Sequence, residues 1–439
     1  MKDKDSVFSN SEYIVLNSLG DGGEATVYKV RHKELDYVRA VRILNKPILE
    51  GKKSIDYQKF VEECKLLLRL GNGCNPNIVR VYKPELVSGH AILEMDYIDG
   101  CNITQYLEEN KNFVEIDEVI KLLYDIGGAL AYCHEDIFKY CINRDVDDVL
   151  DDPDDGEKML IDDAKRQELI NKYRIIHNDI HSGNIMRRED GNYVLLDFGL
   201  SLDGNCKQRS SKKQGGVPEF KAPEKWDNDI LLTAPTDIYS FGVLLYEFLC
   251  GRVPFKLNGN PNSLNVMLMY ELGKAHREEK PKSFFEYRKQ AYENRYENKE
   301  YVKDYPDWLE QLVMKCLEKK PENRFKNGKE LMAFVKENDK KTKGVVTEDK
   351  NGEELLKQKQ TIEKLNEELR KMESQCENLH DEKVKLIHEV DELETHNDVL
   401  KKENDGLKNR NKKLLQANNN LRVELEQLRT DEIDDVIYI

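Results

Sequence analysis

An α+β domain followed by a long α-helical coiled coil is the architecture this sequence predicts, and three observations predict it. Short strand-type runs bounded by glycine crowd the first hundred residues, and apolar helix-type runs dominate from there to about residue 337. A leucine heptad then fills most of what remains. Of the 439 residues, the first three-quarters suffice for a two-lobed body with a full core. The net charge of −15 argues against nucleic acid as a partner. Nine cysteines show no Cys-x-x-Cys or metal-type spacing, and Cys64, Cys133, Cys250 and Cys316 fall in apolar helix-type stretches as reduced core thiols. The polar start Met1-Lys2-Asp3-Lys4-Asp5 is unlike a secretory signal, and no apolar stretch is long enough to span a bilayer. A cytoplasmic chain with no membrane contact is expected.

The elements follow in order. Tyr13-Ile14-Val15-Leu16 and Val27-Tyr28-Lys29-Val30 flank a glycine cluster, Gly20, Gly22 and Gly23, in the manner of a hairpin. Residues without Cβ let backbone amides approach a ligand, although a plain turn explains such a cluster equally well. Val38–Leu44 reads as the next strand, a helix runs from about Tyr57 to Leu70, and Ala91–Gly100 is a strand running into a connector. Farther on comes His177-Asn178-Asp179-Ile180-His181-Ser182-Gly183-Asn184, then the apolar strand Tyr193-Val194-Leu195-Leu196 carrying Asp197-Phe198-Gly199 at its end. These segments supply one carboxylate that can orient a hydroxyl, and an amide with a second carboxylate that can hold a divalent metal. Phosphoryl transfer from a nucleotide needs that set, because it demands in-line positioning and charge cancellation more than covalent chemistry.

The two segments resemble the catalytic and metal-binding loops of the protein-kinase superfamily, of the eukaryotic-like serine/threonine type, and the resemblance covers about Tyr13 to Glu337. It implies a two-lobed protein kinase fold, with a small β-rich N-lobe at 13–95, a hinge at 96–100 and a larger helical C-lobe at 101–337. The implied activity is transfer of the γ-phosphate of ATP to protein serine or threonine hydroxyls, with Mg²⁺. On that resemblance Asp179 is the catalytic carboxylate, and Asn184 and Asp197 hold the metal. Gly20, Asp21, Gly22 and Gly23 cover the phosphates. Arg42 stands at the family's phosphate-contacting lysine, and Glu63, or Glu62 if the alignment slips by one, stands at the glutamate that pairs with it. Met95 backs the adenine pocket, the backbones of Asp96 and Ile98 meet the adenine edge, and Val27, Ala40 and Met186 sandwich the ring. Each of these apolar residues is explained as well by core packing, and only their joint register favours a cofactor slot. Ala222-Pro223-Glu224, its expected ion-pair partner Arg324, and Asp237-Ile238-Tyr239-Ser240-Phe241-Gly242-Val243 as the start of a central buried helix complete the resemblance.

Several positions depart from the family pattern. Arg42 keeps the charge of the lysine but is longer, planar and forked. Ala25 replaces the third glycine, Asn178 the arginine that clasps a phosphorylated loop, His181 the lysine that contacts the transferring phosphate, and Val217 a threonine beside the catalytic aspartate. These changes keep two alternatives open: a pseudokinase scaffold that binds nucleotide without turnover, and a small-molecule phosphotransferase, because Asp179–Asn184 also resembles the loop of choline and aminoglycoside kinases. Ser201, Ser210 and Ser211 are candidate self-phosphorylation sites.

Outside the core pattern, an acidic insert at 136–173 includes Asp145–Glu157 and a helix expected over Asp162–Tyr173. A calcium loop there is disfavoured by Pro153 at a ligand position. Residues 1–12 and 431–439 read as tails and 338–352 as a polar linker. From Ile362 at heptad position a and Leu365 at d, the register holds to Leu428, with leucine at every d position except Met372. Asn397, Asn404, Asn411 and Asn418 occupy four successive a positions, which favours a parallel, in-register homodimer over residues 353–430. Such a rod would extend roughly 100–115 Å at 1.5 Å per residue. Glu368 facing Glu373 and Glu389 facing Glu394 leave room for a heterologous coiled-coil partner.

Overall fold

Alternating burial in Ala25–His32 (β2) shows why the first lobe is a sheet: Thr26, Tyr28, Val30 and His32 point inward, and the residues between them occupy the other face. The computed structural model describes residues 5–8, 11–21, 25–48, 54–70, 75–142, 163–203, 216–227, 231–256, 266–297, 299–346, 404–423 and 425. It falls into two units, Met1–Val345 and Val346–Ile439. In the first, β2 lies between β1 (Tyr13–Asp21) and β3 (Val38–Leu44) in an antiparallel sheet of order β1-β2-β3-β5-β4, where β4 is Val81–Val87 and β5 is His90–Asp96. Val7, Phe8, Tyr13, Tyr28, Val30, Val41, Ile43 and Ile92 form one apolar cluster of this lobe. Helix α1 (Ile55–Arg69) packs on β4 and β5. It begins two residues before the expected Tyr57, because Ser54 caps it by accepting the Tyr57 amide at 3.0 Å. Tyr57, Phe60, Cys64 and Leu67, three or four residues apart, are its buried stripe.

The second lobe starts with β6 (Gly100–Asn102), which pairs with β8 (Ile185–Arg188), itself paired with β9 (Tyr193–Leu195). A second small pairing joins β7 (Ile175–Ile176) to β10 (Leu202–Asp203). A capping box of Asn102 and Gln105 opens α2 (Ile103–Glu109). Helix α3 (Ile116–Ala131) continues into the stretch read as the insert at 136–173. It passes through a π turn, Tyr132–Asp136, into α4 (Ile137–Ile142), because Ile137, Phe138 and Cys141 continue the buried stripe. Helix α5 (Asp163–Tyr173) matches expectation within one residue, while Asp145–Glu157 lies outside the described residues.

At the centre lies α6 (Ala234–Cys250), buried on nearly every side. A methyl on Gly242 would stand 2.5 Å from Cys316 Cβ of α9 (Asp307–Cys316), so glycine sets how closely these helices approach. Gly251 ends α6 in the left-handed conformation at φ 68°. Helices α7 (Val266–Glu278), α8 (Phe284–Arg295) and α10 (Gly328–Val346) complete the lobe. The last of these runs past residue 337 into the stretch read as linker, where buried Asp339 accepts the Tyr124 hydroxyl at 2.9 Å. All four cysteines read as core thiols are buried. Among the described residues no helix is long and apolar enough to cross a membrane.

In the second unit, α11 spans 404–423. Its heptad leucines Leu407, Leu414 and Leu421 are 61%, 60% and 56% exposed. Residues 353–403, 424 and 426–430 of the expected coiled coil lie outside the described residues.

Candidate active site

The site is built from its support outward. Asp237, fully buried in the first turn of α6, accepts the backbone amides of His177 and Asn178, both at 2.7 Å, one on each carboxylate oxygen. His134 Nε2 donates to the same carboxylate at 3.0 Å. Its Nδ1 accepts the Gly328 amide at 3.1 Å, which fixes the tautomer with the proton on Nε2. The resulting peptide holds Asn178 in the left-handed region at φ 67°, a conformation asparagine tolerates better than most residues. The Asn178 side chain donates to the Leu200 carbonyl at 2.9 Å, and the Ser201 hydroxyl donates to the His177 carbonyl at 3.1 Å. Ser201 is therefore buried and bonded, which removes it from the candidate self-phosphorylation sites; Ser210 and Ser211 lie outside the described residues.

Asp179, Asn184 and Asp197 converge next to this anchor. The Asn184 side-chain amide donates to the Asp179 carbonyl at 3.0 Å and to its carboxylate Oδ2 at 3.2 Å, so its own amide oxygen is the atom turned toward a ligand. The Leu196 amide donates to the Asn184 carbonyl at 2.8 Å, which brings the end of β9 and its neighbour Asp197 alongside. Asp197 turns out of the strand at φ 44°, and its Oδ1 accepts the Gly199 amide at 3.0 Å. One carboxylate and one amide oxygen are hard donors of the kind Mg²⁺ takes when substrate phosphates and water complete its shell, so these two residues fit that ion.

On the nucleotide side, Ala40 sits opposite Met95 and Val27 opposite Arg42 in the sheet register. Met95, Ile98 and Met186 join one apolar cluster with Val79, Val194 and Leu196. The Asp96 amide is taken by the Arg80 carbonyl at 2.9 Å, so only the carbonyl of that residue can address an adenine edge. Space above Gly20 is open, and Asp21 accepts the Thr26 hydroxyl at 2.6 Å across the hairpin. Gly22 and Gly23 lie outside the described residues, as does the side chain of Glu63. Arg42 Nη1 stands 3.9 Å from Asp197 Oδ1, a contact the sequence reading did not anticipate.

Three basic side chains surround Asp179. His181 Nε2 lies 3.8 Å from its carboxylate, and His181 Nδ1 accepts the Gly183 amide at 3.1 Å. Burial holds this imidazole below its usual range. Lys225 is buried, donates to the Asn178 carbonyl at 2.7 Å, and is pushed down to about 8 by that burial, with Asp179 acting in the opposite direction. Lys221 is lowered by burial as well, again offset by Asp179. Sequence reasoning passed over both lysines. Next to Lys225, Glu224 takes the Arg324 guanidinium in a fork at 2.8 and 2.9 Å, as expected, and also accepts the Thr236 hydroxyl at 2.9 Å.

Comparison with known proteins decides the family. The model of the protein kinase domain matches residues 13–148 and 165–334. The chain belongs to the protein kinase family. The gap in the match falls in the acidic insert. This kinase chain is similar to a probable serine/threonine-protein kinase of Clostridium acetobutylicum, at 26% identity over 328 residues, 74% of the chain and 40% of the relative. It is similar to another from Clostridium perfringens, at 26% over 347 residues, 78% of the chain and 40% of the relative. The serine/threonine-protein kinase RUNKEL of Arabidopsis thaliana matches at 26% over 247 residues, 56% of the chain and 14% of its own length. The kinase chain thus spans well under half the length of these relatives.

Proposed function

We propose that the chain is an ATP-dependent protein kinase acting on protein serine or threonine hydroxyls, dimerised by the coiled coil at 353–430. The observation that carries the activity is the bonding of Asn184 to both the carbonyl and the carboxylate of Asp179, with Asp197 held alongside by the Leu196–Asn184 bond. Asp179 orients the substrate hydroxyl and accepts its proton as the oxygen bonds to the γ-phosphorus. The bond between the γ-phosphorus and the β–γ bridging oxygen breaks, and ADP leaves with the electron pair. Asn184 and Asp197 would hold Mg²⁺, which supplies neutralisation of phosphate charge. Arg42 restrains the nucleotide from β3, under the loop that carries Gly20 and Asp21. Met95, Ile98 and Met186 offer the apolar wall for adenine, with Val27 and Ala40 from the sheet above. Incubation with Mg-ATP tests this: phosphate transferred to protein by the parent, and abolished in Asp179→Ala and Asp197→Ala, supports it, whereas equal labelling in all three overturns it.

A second reading, a scaffold that binds nucleotide without turnover, draws support from the Arg42–Asp197 contact, which ties a prospective metal ligand to a protein cation. A parent that binds Mg-ATP and transfers nothing would establish that reading. The exposed leucines of α11 support the dimer, since a lone helix gains nothing by presenting them to water. Removing residues 353–430 is expected to convert a dimer into a monomer by sedimentation and to make autophosphorylation steeply concentration-dependent. A monomeric parent would refute the homodimer and leave the heterologous coiled-coil partner.

A further inference from the structure

We infer that Lys225, the residue directly after Ala222-Pro223-Glu224, supplies the positive charge at the phosphoryl-transfer position. The inference rests on the kinase reading above. Lys225 projects from a rigid mount, the one-turn helix Pro223–Trp226, which the Glu224–Arg324 fork fixes on one side. Its ammonium bonds the carbonyl of Asn178, the residue immediately before the catalytic carboxylate. Gly216 lies between the lysine and Asp179 with no side chain to separate them. A methyl there would stand 2.7 Å from Asp179 Oδ1 and 3.7 Å from Lys225 Nζ, and the backbone at φ +99° favours glycine independently. Cation and carboxylate therefore face each other across bare backbone.

The charge balance of the site calls for such a group. Asp179 and Asp197 are both acids, and the transferring phosphoryl adds negative charge. Arg42 is directed at Asp197. His181 has Nδ1 engaged as an acceptor and stays neutral, so it offers Asp179 a dipole rather than a charge. Lys225 is the buried cation beside Asp179 that makes no ion pair shorter than 4.0 Å among the described residues, so its charge remains directed into the site. A preorganised charge in a water-poor site stabilises the transition state more than the ground state, because nothing reorganises as the negative charge develops.

The test compares the full-length parent with Lys225→Gln, which keeps a donor for the Asn178 carbonyl and loses the charge, and with Lys225→Met, which loses both. Affinities are measured by calorimetry for Mg-ADP alone and for Mg-ADP with aluminium fluoride, a mimic of the phosphoryl in transfer. Both variants are expected to bind Mg-ADP within about twofold of the parent and to lose roughly tenfold or more with aluminium fluoride. Their kcat should fall by a similar factor while KM for ATP stays within about twofold. If Lys225→Met does not fold, Lys225→Gln decides. Parent-like aluminium fluoride affinity in Lys225→Gln, or an equal loss for Mg-ADP alone, overturns the inference. A parent without turnover overturns the kinase reading, and the ratio of the two affinities still decides the role of Lys225.

Discussion

Two arginine–carboxylate pairs in this molecule are opposites. Arg324 and Glu224 meet in a buried fork, and the remaining guanidinium hydrogens go to the carbonyls of Pro235, Lys319 and Glu318. Arg42 and Asp197 meet through one nitrogen and one oxygen at 3.9 Å, with the aspartate side chain 45% exposed. The first pair is complete in itself and locates the segment that carries Lys225. The second holds its partners loosely, which suits groups that must engage a nucleotide and release it. The first pair is built for stability, and the proposed function draws on the second.

Two substitutions can break that contrast. Arg324→Met leaves Glu224 buried without its cation and is expected to cost about 3–5 kcal/mol in urea unfolding. A loss under about 1 kcal/mol would mean the fork is not structural. Arg42→Met should change stability by no more than about 1 kcal/mol, since the pair is open to solvent screening. On the proposed role of Arg42 in restraining the nucleotide, Mg-ATP affinity should fall roughly tenfold. Destabilisation comparable to that of Arg324→Met would erase the distinction.

Glu247 of α6 sharpens the comparison from a third direction, as a half-buried acid whose Oε2 is shut off from water with no hydrogen-bond partner among the described residues. Burial raises its carboxyl to about 7 from 4.5, with Glu219 adding to the rise and a Ser182 hydrogen bond opposing it. A carboxyl whose folded-state pKa is raised contributes stability that is full below the unfolded value and is lost as pH rises through about 7. Glu247→Gln should therefore gain about 1–2 kcal/mol over the parent at pH 8 and almost nothing at pH 4, below the unfolded value. An identical effect at both values would show that ionisation is not involved.

The residue types of chemistry were legible in the sequence, but the contacts that support them were less so. Asp179, Asn184 and Asp197 could be read because each lies in a short local pattern beside a strand. Glu224–Arg324 and the buried helix that begins near Asp237 could be read because the resemblance carried them. Lys225 could not, because a lysine following Ala-Pro-Glu looks like any surface lysine until the fold buries it beneath the catalytic loop. His134 was hidden in the same way, since its partners Asp237 and Gly328 come from distant segments. The insert was read as beginning at 136 because the π turn changes the helical period just before the buried stripe goes on at Ile137.

Asn178 has a consequence for timing. Its peptide is bolted to Asp237, its side chain to Leu200 and its carbonyl to Lys225, and none of these partners can be added or removed by a modifying enzyme working on hydroxyls. The loop takes this shape from bonds that form when the polypeptide folds. A machine wired in this way has no ignition key at that position.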